Sequence, residues 1–241
     1  MRVYAPFALC ILGLVATAPA VARQRSPFET GIRLFEGAFD PRRNFAGDIE
    51  PSSMDEMILT VAASGRDNYA PAYSLAIAHL CEPIQGGCQP HYVARVLRVS
   101  ADRDEWTSRG LALVNRVDRT RRVEDAEAAL EDSDLQWLEA DAATCEGVIA
   151  AIDAVRLADW RADLPASLTP QGEGDIILHP AMIRVELWGA YVRTRYQGWL
   201  HGNGVPAAAI QLMERLEPCW RPSRTPRPWE RRVPGRPRPL P

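Results

Sequence analysis

Residues 79 to 91 read HLCEPIQGGCQPH, which sets Cys81 and Cys88 inside a frame of His79 and His91. Two thiols and two imidazoles are the right ligand types for tetrahedral zinc, but their spacing matches no common zinc knuckle. Cys10 lies in the apolar N-terminal run, so Cys81, Cys88, Cys145 and Cys219 remain. An even number in an exported chain argues for disulfides, here Cys81 with Cys88 and Cys145 with Cys219, and for no metal. Pro83 and the pair Gly86 and Gly87 supply the bends that a short cystine loop needs. A thiol at a helix N-terminus is activated, and Thr144 looks like an N-cap just before Cys145, but the even count favours a bridge. The chain has no CxxC, and a thioredoxin-like redox role is not supported.

The second stretch with chemical content is ILHPAMIRVELWGAYVRTRYQGW, residues 177 to 199. Wound as a helix it shows no clean polar face; folded as a hairpin it sorts itself. With Gly189 and Ala190 as a two-residue turn, Leu187, Val185 and Ile183 fall opposite Val192, Thr194 and Tyr196 on an apolar face. The other face carries Arg184, Glu186, Trp188, Tyr191, Arg193 and Arg195, the candidate binding face. In that register Arg184 is directly opposite Arg195, a like-charge pair that costs up to about 1 kcal/mol unless an anion or an internal acid neutralises it. Guanidinia beside aromatic rings suit carboxylates or phosphates, as in cell-wall fragments or an extended peptide.

Catalytic signatures are missing: the sequence contains no GxSxG, HExxH, phosphate loop or CxxCH, and no cofactor is implied. His179, with Asp175 or Glu173 to orient it, is the one dyad near the hairpin. It defines the alternative reading, a periplasmic hydrolase-like enzyme with a site near 179–196.

The elements that must hold these residues read as mostly helical. Ser53 and Glu56 form a capping box ahead of a helix ending near Gly65, and Pro71 opens a second helix running into Cys81. Residues 90 to 100 fit helix or strand equally. Helices follow over 103–117, over the acidic run near 123–132, which should face solvent, over 144–160, and from Pro206 to Pro218. The expected fold is therefore α+β: a predominantly helical single domain with one antiparallel β-hairpin near 182–197, stabilised by disulfides, with a flexible basic C-terminal tail.

The ends place the protein. Arg2, an uncharged apolar run and Ala20-Val21-Ala22 have the form of a cleaved secretory signal, residues 1–22, with Pro6 and Pro19 making it too short to span a bilayer. Residues 23–219 then form the exported domain, and 220–241 an Arg- and Pro-rich tail that is expected to be disordered. That tail holds 7 Arg and one Glu; setting these and Arg2 aside from 28 basic and 31 acidic residues leaves 20 against 30 in the body. A basic tail on an acidic body can reach anionic lipid by screened electrostatics. Trp220 and Trp229 could stack on bases, but an exported chain seldom meets nucleic acid, and none is expected.

These features point to a soluble periplasmic or secreted protein, not an integral membrane protein. Its expected role is a non-catalytic binding or envelope-associated accessory module, with an envelope protein, a cell-wall fragment or anionic lipid as partner. A purely structural subunit whose partner covers the apolar lead-in is a third reading.

Overall fold

The computed structural model describes residues 35–46, 48–49, 56–65, 71–85, 87–120, 123–130, 134–161, 181–189 and 193–229. Its centre is a seven-stranded antiparallel sheet: β1 (Glu56–Ser64), β2 (Pro71–Ile84), β3 (Gly87–Val99), β4 (Leu135–Asp141), β5 (Met182–Trp188), β6 (Arg193–Trp199) and β7 (Arg221–Pro222). The spatial order is β6-β5-β1-β2-β3-β4-β7. Among the described residues the sheet is accompanied by α1 (Trp106–Asp118), α2 (Val123–Leu130), α3 (Val148–Leu157) and α4 (Val205–Leu216), and residues 35–38 are helical as well. A short 3-10 helix, Pro41–Phe45, precedes the sheet.

The expectation of a predominantly helical domain with one hairpin is therefore wrong. The two segments read as helices before Cys81 are β1 and β2, and the ambiguous segment after Pro90 is β3. The cause is burial on both faces. Along β2, Leu75 and Ile77 point toward α1 on one side while Ala76 and Ala78 lie under Phe45 of the 3-10 helix on the other. A strand covered on both sides reads as an unbroken apolar run, which periodicity cannot separate from a buried helix. Each fully buried Leu or Ile contributes about 1.5 to 3 kcal/mol.

The helices from 103 onward follow the sequence reading, with one change of exposure. Ala126 and Leu130 of α2 are fully buried, so this acidic helix faces the core on one side. Helix α1 covers β1 to β3, and α4, braced by α3, covers β5 and β6. Gly65 lets α1 come close to the end of β1: a Cβ there would stand 2.6 Å from the Thr107 Cα. Among the described residues no helix is long and apolar enough to cross a membrane.

Cys145 and Cys219 form the expected disulfide, with Cα atoms 6.0 Å apart, and tie the turn before α3 to the end of α4. Helix α3 begins later than the sequence suggested: Gly147, at φ 75°, caps it in place of Thr144. Cys81 is disulfide-bonded as well. Cys88 pairs with Pro83 in the β2–β3 ladder, and its side chain lies outside the described residues.

The tail boundary also moves. Arg221 and Pro222 pair with Glu139 and Leu138 as an edge strand, a place where a proline's missing N–H costs no ladder bond. The Trp137 indole N–H donates to the Thr225 carbonyl at 3.0 Å, and Trp229 is 7% exposed. The fold thus continues through Trp229, and only residues 230–241 of the expected tail fall outside the described residues.

Candidate functional site

Alternation along β5 puts Arg184, Glu186 and Trp188 on the sheet face away from α4, and β6 adds Arg193 and Arg195 to the same face. The expected hairpin is present, but its register differs by two residues. Trp188 pairs with Arg193, Glu186 with Arg195 and Arg184 with Gln197, so four positions, not two, connect the strands. A slip of two keeps every side chain on its face and changes its partner. Arg184 and Arg195 are not opposite each other, and the like-charge clash read from the sequence does not occur. Tyr191 and His179, with Asp175 and Glu173, lie outside the described residues.

Glu186 is the internal acid of this face. Its side chain is 4% exposed, held between β6 and Thr60 of β1. The Arg195 Nε–H donates to Glu186 Oε1 at 2.7 Å, and Arg195 Nη2 stands at 2.7 Å from the same oxygen. Arg184 Nε lies 3.9 Å from Oε1 and Arg193 Nη1 3.8 Å from Oε2, both beyond the hydrogen-bond range of about 3.2 Å. Glu186 Oε2 and the Trp188 indole N–H are buried without a hydrogen-bond partner. The Arg193 guanidinium sits over the Trp188 ring, 5.0 Å from its centroid.

A second ion pair borders the cluster. Asp40 caps the 3-10 helix by accepting from the Arg42 backbone N–H at 3.1 Å, and its carboxylate takes the Arg42 Nε–H at 2.8 Å. Burial pushes the Asp40 carboxyl up, but the hydrogen bonds and charge of Arg42, helped by Arg184, outweigh it and hold Asp40 below its ordinary range. Asp40, Arg42, Arg184 and Gln197 line a cavity of about 310 Å3 at this end of the sheet. Four arginines here face three carboxylates, Glu36, Asp40 and Glu186.

Sequence reasoning collected Arg184, Glu186, Trp188, Arg193 and Arg195 correctly on one face and missed Asp40, Arg42 and Gln197. The Asp40-Pro41 pair is a helix-start signal that could have flagged the first of these. Gln197 enters only through the true register.

The same sheet face carries a second polar cluster with a structural task. Arg195, Glu186, Thr60, Ala76, Arg95, Glu139 and Arg221 form a single row across all seven strands. Arg95 lies over the Phe45 ring at 4.4 Å, binds Asp48 and donates to the Asn44 carbonyl at 3.2 Å. Asn44 returns bonds to the carbonyls of Ser74 and Arg95 at 2.9 and 3.0 Å. This network fastens the 3-10 helix to the sheet.

The histidines of the opening motif do not converge. His79 pairs with Tyr92, and their rings are 5.1 Å apart, whereas His91 pairs with Leu80 one residue along. Adjacent positions point to opposite faces, so His79 and His91 lie on opposite sides of the sheet.

Comparison with protein-family models, curated proteins and solved structures finds no match for this chain.

Proposed function

We propose that this chain is an exported, non-catalytic binding module that holds a carboxylate-bearing ligand at the arginine end of its sheet. The imbalance around Glu186 carries the reading: three arginines share this one buried carboxylate, Arg195 by a hydrogen bond and Arg184 and Arg193 only as longer ion pairs at 3.9 and 3.8 Å. The latter two are 38% and 41% exposed, so their forked donors are open to an outside acceptor. A guanidinium matches a carboxylate bidentately. An extended peptide, a peptide-bearing cell-wall fragment or an acidic segment of an envelope protein carries such a carboxylate. Export is supported by the apolar N-terminal run ending in Ala20-Val21-Ala22 and by the Cys145–Cys219 disulfide.

A thermal-shift series tests the reading. Wild type and the Arg184→Gln/Arg193→Gln double variant are melted with a short peptide bearing a free C-terminal carboxylate, with cell-wall peptide fragments, with anionic lipid vesicles and with phosphate, at fixed ionic strength. A saturable rise in Tm for the peptide ligands in wild type, lost in the double variant, is expected, because a ligand stabilises the state that binds it. Equal responses in both proteins, or none, would overturn the reading.

A further inference from the structure

Strand β6 ends the sheet on the arginine side, and among the described residues it pairs with β5 alone. The hydrogen bonds of that pair fix which of its backbone groups are used. Leu200, one residue beyond β6, donates its N–H to the Ala181 carbonyl at 2.8 Å, directly across in the register that sets Met182 against Trp199. In an antiparallel pair, hydrogen-bonded positions alternate with positions that do not bond each other. Gly198, Tyr196 and Thr194 therefore bond β5, whereas Arg193, Arg195, Gln197 and Trp199 turn their N–H and C=O groups outward.

The Trp199 carbonyl accepts from the Gly202 N–H at 3.3 Å, but no backbone bond among the described residues uses the outward groups of Arg193, Arg195 and Gln197. All three residues are exposed. An open strand edge is a template for another strand. Here the residues that offer their backbone are also those whose side chains stand on the arginine face. A residue paired directly opposite one of them puts its own side chain on that face too.

Charge selects the occupant. A second copy docked edge to edge through β6 would bring Arg193 and Arg195 against their own counterparts, and like charges across a strand pair are destabilising. The chain's own end, residues 230–241, holds four arginines and four prolines, and proline cannot donate to a ladder. An acidic strand meets neither obstacle. It finds three guanidinia that share the single carboxylate of Glu186.

We infer that β6 is a strand-addition edge for an extended acidic polypeptide segment with carboxylate side chains at alternate positions, an inference that rests on the carboxylate-binding reading above and adds the backbone to it. The segment exchanges N–H and C=O bonds with Arg193, Arg195 and Gln197. Its carboxylate opposite Arg193 meets that guanidinium directly. The carboxylate opposite Gln197 reaches across it to Arg184, two strand spacings or about 10 Å away, a span that a glutamate and an arginine extended toward each other close.

The probe is a blocked peptide of alternating Glu and Thr, read by calorimetric titration and by amide hydrogen exchange. In the free protein the amides of Thr194, Tyr196 and Gly198 should be protected and those of Arg193, Arg195 and Gln197 open; saturating peptide should slow the open set about tenfold or more. Two further peptides are N-methylated, one at every Glu and one at every Thr. A strand pairs through one alternate set of amides, so one of the two should bind about tenfold more weakly and the other like the parent. Equal binding of all three peptides, with loss of each in the Arg184→Gln/Arg193→Gln variant, would keep the carboxylate site and overturn strand addition. Equal weakening by both methylations, or equal binding of a peptide with Lys in place of Glu, would overturn it too. No saturable binding of the parent peptide overturns both readings. Outward amides already protected in the free protein would mean that the edge is covered, by a second copy if the protection falls on dilution and by the chain itself if it does not, and either result overturns the inference.

Discussion

Arg195 and Glu186 face each other across β6 and β5, and the arginine Nε–H donates to the buried carboxylate at 2.7 Å. The bond turns an apparent like-charge liability into an internal ion pair and fixes which arginines remain open. Arg195→Thr, at a position that favours a β-branched residue, should destabilise the protein by about 1 kcal/mol, because it removes a charge-assisted hydrogen bond that is partly exposed. Glu186→Gln should cost more, about 2 kcal/mol, since it leaves three guanidinia without their shared counter-charge. Urea unfolding of the two variants checks the order. An Arg195→Thr protein as stable as wild type would mean the pair is idle.

Asp40 gives a pH test. Its carboxyl titrates below its ordinary value of 3.8 in the folded state, so its contribution is complete above that value and is lost as pH falls through the lowered one. The Tm gap between wild type and Asp40→Asn should therefore be widest at neutral pH and close as the solution is acidified below about pH 4. Calorimetric melts across that range measure it. A gap that stays constant down to pH 2 would contradict the Arg42 pairing.

Trp229 is the last of the described residues and is buried. Removal of residues 230–241 should leave the melting temperature unchanged, whereas removal of 220–241 should lower it substantially. The second truncation deletes β7, the Thr225 acceptor for Trp137 and a tryptophan that lines one cavity with Leu97 and Leu130. Trp229→Ala alone should cost about 3 to 5 kcal/mol, the usual range for emptying a buried aromatic position. Equal melting of the two truncated proteins would place Trp229 outside the core.

The helices after Trp106 and the hairpin are legible in the sequence because each has one face toward the core and one toward solvent. Strands β1 and β2 are not. Ala76 and Ala78 are small, helix-compatible residues, and their burial under Phe45 depends on a 3-10 helix that no local pattern ties to that strand. The Ser53 and Glu56 spacing imitates a capping box at the start of what is a strand. For the arginine face, alternation alone decides which side chains share a surface, and that much is readable. Their partners depend on loop length: a turn at Gly189 and Ala190 puts Arg195 opposite Arg184, and the longer connection moves it to Glu186.

The central claim is that Arg184 and Arg193 are open to a ligand carboxylate while Arg195 is committed to Glu186. The most direct measurement follows the Nε–H resonances of these three arginines by nitrogen-15 NMR during titration with a carboxylate-terminated peptide, assigned through single Arg→Gln variants. The Arg184 and Arg193 signals should shift along saturating curves with a common Kd, and the Arg195 signal, already hydrogen-bonded, should stay in place. A saturating shift of Arg195 alone, or small linear shifts of all three that track ionic strength, would contradict the account.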